Sequence, residues 1–253
     1  EAANGLAGSV TALAALPGGS TNVFARTIGL PDDPVEATGA LLDAIDAGST
    51  KRIGLGNIND RYFLFNAGIG FDAAVVEQVE RRGGLLKRFA GHPLFVAATL
   101  NPWFRHYDHR RPGFKVTIDQ KKDGHQPEEK PSVDGMFTVC LNTDPYTYLG
   151  TRGISFAPQT TLDTPLAVVT FRSLSPTRLG PVFANALGFG RGQVADSGFI
   201  DHHTDVTQAT ITAYHPVPWQ VDGDYLGQAE EFHLRHEPDV LDLVIPLGNS
   251  RTV

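Results

Sequence analysis

The chain changes texture at Lys51, and that change limits its architecture more than any other feature. Up to that point it reads as α/β. Val10 to Leu16 (VTALAAL) is apolar without alternation, the pattern of a strand covered on both faces of a parallel sheet. It enters Pro17-Gly18-Gly19-Ser20-Thr21-Asn22, a turn leading to a short helix from Val23 to Ile28. Thr21 or Asn22 can cap the start of that helix and Gly29 can end it. A second helix is marked by Asp33 at the cap, Pro34 at the first helical position and Glu36 three residues after the cap. Val35, Thr38, Leu42 and Ile45 then recur at helical spacing until Gly48.

Beyond Lys51 the signals are mostly those of strands. Arg52 to Leu55 and Arg61 to Phe65 flank the turn residues Asn57-Ile58-Asn59-Asp60. A helical stretch is expected from Asp72 to about Leu100, broken at Gly83-Gly84 and at Gly91-His92-Pro93. Strands are then expected at Met136 to Leu141, Leu166 to Phe171, Thr207 to Tyr214, Phe232 to Arg235 and Val240 to Ile245. Trp219 to Leu226 (WQVDGDYL) reads as a hairpin turning at Asp222-Gly223. Strands at this spacing predict a β-sandwich or a partly closed barrel. The polar, Gly- and Pro-rich residues 119–135 read as a surface loop.

Charge and composition exclude several classes. With 21 Lys and Arg against 28 Asp and Glu, the net charge of −7 argues against a protein made chiefly to coat nucleic acid or an anionic membrane. The distribution is uneven, because eight cations and one acid fall between Arg81 and Lys115, leaving that segment at +7 and the remainder at −14. The single cysteine, Cys140, excludes an intrachain disulfide and fits a reducing cytoplasm. No apolar run reaches membrane-spanning length, and the first residues, Glu1-Ala2-Ala3-Asn4-Gly5, lack signal-peptide features.

Two motifs carry candidate chemistry. In Leu16 to Asn22 (LPGGSTN), a glycine pair between a strand and a helix lets backbone N–H groups approach an anion, and Ser20 and Thr21 add hydroxyl donors. The same residues also serve as an ordinary strand-to-helix connection. In Val221-Asp222-Gly223-Asp224, two carboxylates flank a glycine and could act as base and metal ligand, but Asp-Gly is also a common hairpin turn.

Four segments, in order, resemble the diacylglycerol kinase catalytic domain family, the lipid branch of the superfamily shared with the NAD kinases. LPGGSTNVFAR is similar to the family's signature, and NAGIGFDA, Asn66 to Ala73, to the entry of its second domain. SFAPQTTLDTPLAVVTF, Ser155 to Phe171, resembles its metal-binding stretch, and QVDGDYLG, Gln220 to Gly227, its catalytic turn. The resemblance implies a partial NAD-kinase-like α/β nucleotide domain over residues 1–52. A β-sandwich lipid and catalytic domain would follow over residues 53–246, with a helical insertion at about 72–100 and a tail at 247–253. It also places Glu1 just after the family's Gly-Gly-Asp-Gly-Thr phosphate loop, so the 253-residue chain alone is expected to be inactive.

Carried over by position, the resemblance implies nucleotide contacts at Gly18, Gly19, Ser20, Thr21 and Asn22, with Ser20 foremost. It implies metal binding by the Asp163 carboxylate and the carbonyls of Thr160 and Pro165, although Thr164 stands where the family has Gly. Asp224 takes the position of the catalytic carboxylate, which is usually Glu; the shorter side chain withdraws the carboxylate by roughly 1.5 Å. The implied cofactors are ATP and Mg²⁺. The implied reaction moves the γ-phosphate to a lipid hydroxyl, with diacylglycerol giving phosphatidic acid.

Other features compete with this reading. A sphingoid base or another lipid alcohol is an alternative acceptor, a soluble substrate of the NAD-kinase branch a further one, and a lipid-binding module without catalysis a separate class. The segment Arg81-Arg82-Gly83-Gly84-Leu85-Leu86-Lys87-Arg88-Phe89 mixes cations with apolar residues, as membrane-surface segments do. Arg81, Arg82, Lys87 and Arg88 are therefore candidate contacts to anionic lipid, and a solvated helix face is the plain alternative. The expected location is the cytoplasm, at the inner membrane surface during turnover; monomer and homodimer stay open. His106, Tyr107, Asp108 and His109, and Asp201, His202, His203 and Asp205, fit no zinc spacing and read as solvated loops. Gly188 to Gly192 reads as a turn, and Leu94, Phe95, Trp103 and Phe104 as core.

Overall fold

The computed structural model describes residues 1–19, 21–81, 111–119, 132–189, 194 and 197–248. Three helices come first: α1 (Ala2–Leu6), α2 (Val23–Thr27) and α3 (Pro34–Asp46). Then follow β1 (Thr50–Ile58), β2 (Arg61–Phe63), β3 (Asn66–Gly70), α4 (Phe71–Arg81), β4 (Phe114–Ile118), β5 (Ser132–Gly135) and β6 (Phe137–Leu141). The last elements are β7 (Thr147–Leu149), β8 (Arg152–Ile154), β9 (Leu166–Phe171), α5 (Pro176–Ala186), β10 (Ile200–Val206), β11 (Gln208–Val221) and β12 (Asp224–Val244).

One antiparallel sheet organises the molecule, in the order β10-β9-β6-β3-β11-β12-β1-β2, while β7 and β8 form a separate hairpin. β11 serves two neighbours. Its start pairs with β4 (Ala209 opposite Ile118) and its end with β3 (Val221 opposite Ala67), and β4 in turn holds β5. A register shift between Thr212 and Val217 separates the two uses and bends the strand, as bulges do. The central strands are buried on both faces. On β6 and β9, Cys140, Leu166 and Val168 enter one core with Phe114, Ile211 and Phe232. Their alternates Phe137, Val139, Leu141, Val169 and Phe171 enter a second core covered by α5 through Leu179 and Val182. A third core lies under the N-terminal helices, where Ala37, Leu41 and Ala44 meet Ile53, Leu55, Leu241 and Leu243. The α/β front followed by a β-sandwich is thus the observed fold class.

Several local expectations need correction. Val10 to Leu16 forms no double-covered strand: a single parallel bridge joins Leu13 to Leu243, and Val10 is 94% exposed. Leu13 uses both its backbone groups on one side, donating to Asp242 and accepting from Val244, and among the described residues no strand lies on its other side. On α3 the helical spacing of Val35, Leu42 and Ile45 marks the exposed face. The buried side is Ala37, Leu41 and Ala44, where alanines let the helix approach β1 and β12 closely. Residues 132–135 are strand β5 rather than loop, because β4 supplies a partner. The two C-terminal strands are one, β12, continuous from Asp224 to Val244. His202 and His203 lie on strand β10, not on a loop. The expected core residues Leu94, Phe95, Trp103 and Phe104, the His106–His109 cluster and the rest of the helical stretch beyond Arg81 lie outside the described residues.

Candidate active site

The turn between β11 and β12 is built as the Asp-Gly pair requires. Asp222 (φ 50°) and Gly223 (φ 87°) are both left-handed, the geometry of a two-residue hairpin that matches strand twist. Asp224 follows as the first residue of β12 and is exposed. Asp222 does not face solvent chemistry in the same way. Its carboxylate accepts from the backbone N–H groups of Leu64 (2.8 Å), Phe65 (3.0 Å) and Asn66 (3.2 Å). Its own N–H donates to the Asn66 carbonyl. Burial pushes its carboxyl up to about 6, even though the three N–H groups pull the other way. Of the two carboxylates in this motif, one therefore anchors the turn and the other is presented by it.

Two residues before the anchor, Gln220 links this turn to the interior. Its Oε1 accepts from the Gly223 N–H at 2.8 Å, and its Nε2 donates to Asn66 Oδ1 and to Asp72 Oδ2, each at 2.9 Å. The other Asp72 oxygen accepts from the Tyr146 hydroxyl. Gln220 is paired with Gly68 across β11 and β3, and an added Cβ at Gly68 would lie 1.7 Å from Asp72 Oδ2. Only glycine leaves room there for the carboxylate. Burial pushes the Asp72 carboxyl up against the lowering effect of its two donors, and burial next to Asp72 pushes the Tyr146 phenol well up.

Asp72, Tyr146 and Thr147 are the polar residues in the wall of a largely apolar cavity of about 330 Å³. Its remaining lining includes Phe71, Val75, Phe137, Val139, Ile154, Phe156, Leu179 and Phe183. The cavity thus has a polar corner that reaches the Asp222-Gly223-Asp224 turn through one glutamine. Sequence reasoning singles out none of Asn66, Asp72, Tyr146 or Gln220; for three of them the only local signal is a place in the NAGIGFDA or QVDGDYLG segment, and Tyr146 has none.

The glycine loop precedes α2. Asn22 (φ 47°) sits at the cap position of α2, but its side chain turns back and accepts from the Gly19 N–H at 2.7 Å instead of capping the helix. Gly18 and Gly19 are exposed, Thr21 and Asn22 half-buried, and Ser20 lies outside the described residues. Arg26 on α2 stacks 3.6 Å over the Tyr148 ring and donates to the Gly150 carbonyl at 3.0 Å. This ties the loop and its helix to the β7–β8 hairpin, whose first residue, Thr147, lines the cavity. Among the described residues no hydrogen bond or ion pair joins the loop directly to the Asp222–Asp224 turn.

The third group, Thr160, Asp163 and Pro165, lies on the turn before β9. Leu162 is buried in the N-terminal core beside Ile53 and Leu243, which seats the turn against β1. The Thr160 carbonyl accepts from the Asp144 N–H (3.1 Å), and the Thr161 carbonyl accepts from both the N–H and the hydroxyl of Thr164. Asp163 Oδ2 lies 2.7 Å from Lys51 Nζ. Nearby, Asp144 accepts from the Ser155 hydroxyl and from the N–H groups of Phe156 and Ala157, and burial pushes its carboxyl up. On β10, His203 bonds Asp201 and His202 bonds the Phe156 carbonyl. Among the described residues no three His, Cys, Asp or Glu side chains group as metal ligands.

Residues 1–58 match the diacylglycerol kinase catalytic domain family. Among solved structures, a diacylglycerol kinase from Bacillus anthracis superposes with a TM-score of 0.62 at 17% identity, covering 99% of this chain and 72% of that one. A second structure from the same bacterium, provisionally assigned to the diacylglycerol kinases, gives 0.66 at 19% identity, covering 96% of this chain and 72% of its own. At these identities the superpositions carry the fold, which is that of the diacylglycerol kinase structures. No curated protein matches the chain. Among the described residues no helix is long and apolar enough to cross a membrane.

Proposed function

We propose that this protein transfers the γ-phosphate of ATP to the hydroxyl of a lipid, with diacylglycerol as the first acceptor to test. The observation that carries the proposal is the apolar cavity whose polar corner, Asp72 and Tyr146, is wired through Gln220 to the turn that presents Asp224. An acyl chain is the ligand such a lining favours, since each buried CH₂ contributes roughly 0.8 kcal/mol. Asp224, on a turn pinned by three backbone bonds to Asp222, is the base that orients the acceptor hydroxyl and takes its proton. Gly18 to Asn22 receive the nucleotide phosphates, so residues 1–52 serve the nucleotide and residues 53–246 the lipid. ATP is taken up as its magnesium complex, which neutralises charge developing on the transferred group. The acceptor lies in a bilayer, and Arg81, Arg82, Lys87 and Arg88 give the chain a basic segment for an anionic surface.

The test is a transfer assay with radiolabelled ATP on protein expressed from its full coding sequence. Diacylglycerol, monoacylglycerol, ceramide, sphingosine and NAD are compared, the lipids being presented in anionic vesicles. Phosphatidic acid as the main product is expected, with vesicle binding that weakens as salt is added. A phosphorylated sphingoid base would reassign the acceptor and phosphorylated NAD the substrate class. Lipid bound without any transfer would replace the kinase reading with that of a lipid-binding module.

A further inference from the structure

The turn that resemblance assigns to a divalent cation already holds a cation of the chain's own. Its single carboxylate, Asp163, is already paired with the Lys51 ammonium at 2.7 Å, so an incoming cation meets a pair of zero net charge. Several other oxygens of the turn are also engaged. The Thr160 carbonyl accepts from Asp144, and Thr164, standing where the family has Gly, spends its hydroxyl inside the turn: it donates to the Thr161 carbonyl (3.1 Å) and accepts from the Thr161 N–H (3.0 Å). Leu162, 2% exposed, holds the turn on the strand that carries Lys51. Mg²⁺ demands near-octahedral oxygen ligands and gives up water reluctantly, whereas an ammonium needs only one carboxylate within reach.

We infer that Lys51 takes the place of the divalent cation, fastening the Thr160–Pro165 turn to β1 by an ion pair, so that this joint holds without metal. The inference concerns only this turn and is independent of the magnesium that accompanies ATP.

Thermal unfolding of the full chain, in EDTA and in millimolar MgCl₂ at matched ionic strength, tests it without any assay of activity. Wild type is expected to melt within about 1 °C in the two media. Lys51→Met frees Asp163, and a recovered cation site would raise the melting temperature of that variant in MgCl₂ by about 3 °C. Adding Asp163→Asn to Lys51→Met removes the gain. Two results would overturn the inference: a wild-type protein stabilised by Mg²⁺ in a manner lost on Asp163→Asn, or a Lys51→Met protein as indifferent to Mg²⁺ as wild type. Should Lys51→Met fail to fold, calorimetric titration of wild type with Mg²⁺ decides, because one-to-one binding lost on Asp163→Asn refutes the substitution and its absence supports it.

Discussion

Asp222→Asn separates the anchoring role of this side chain from any role in proton transfer. In wild type the carboxyl is pushed up from 3.8 to about 6, so between those values the folded chain holds a proton that the unfolded chain has lost. Stability from this group is therefore full below about pH 4 and is lost as pH rises through 6. Across that interval of roughly two pH units the loss is at most about 3 kcal/mol, since each pH unit contributes about 1.4 kcal/mol. Asparagine has one acceptor oxygen. If it faces Phe65 and Asn66, the Leu64 N–H at 2.8 Å meets an NH₂ group, and that unpaired donor costs about 1–3 kcal/mol at every pH. The variant should be less stable than wild type at pH 4 by that amount, and the deficit should shrink or reverse by pH 7. Urea unfolding of both proteins from pH 4 to 7 measures the difference, in which all other titrations cancel. A wild-type–variant gap that stays constant across this range would show that Asp222 ionises normally and that burial does not govern it.

Asp224→Asn should lower turnover at least about a hundredfold while nucleotide affinity, measured by equilibrium binding, changes little; retention of near-wild-type turnover would remove Asp224 as the base. Gly68→Ala drives a methyl into Asp72 and Gln220 and should cost about 3 kcal/mol in urea unfolding. An unchanged midpoint would mean that the network relaxes freely. Ile154→Trp fills part of the cavity and should raise KM for long-chain acceptors about tenfold, leaving KM for ATP within about twofold. Equal effects on both constants would place the acceptor elsewhere.

The sequence-local parts of this site are readable in the chain, and the long-range parts are not. Asp33-Pro34-Val35-Glu36 announces the start of α3, and Asp33 does accept from the Val35 and Glu36 N–H groups. Asp222-Gly223 announces the hairpin, since left-handed backbone at both turn positions selects those residue types. The work of the Asp222 carboxylate is invisible in the same four letters, because its donors lie more than 150 positions earlier in the chain. Gln220 and Asp72 are similarly remote, and a glutamine in a β-strand gives no sign that it will bridge a cavity to a turn. The buried face of α3 is hidden for another reason: Val35-Leu42-Ile45 and Ala37-Leu41-Ala44 both obey helical spacing. Packing chose the set with the smaller side chains.

β12 begins at Asp224 and ends at Val244 in the core beneath α3, and β1 runs antiparallel beside its second half from Thr50 to Ile58. The front helices and the β-sandwich are thereby coupled by a ladder of two strands rather than by a flexible tether. Such a ladder resists shear, because sliding either strand breaks its rungs. It yields to bending where its register slips, between Ile53 and Leu55, opposite the left-handed Asp239. Gly54 lies at that slip with the His236 ring pressed against its backbone, 2.5 Å from where a Cβ would stand. Away from the ladder, Arg26 stacked on Tyr148 and bonded to the Gly150 carbonyl is a second tie, which joins α2 to the β7–β8 hairpin.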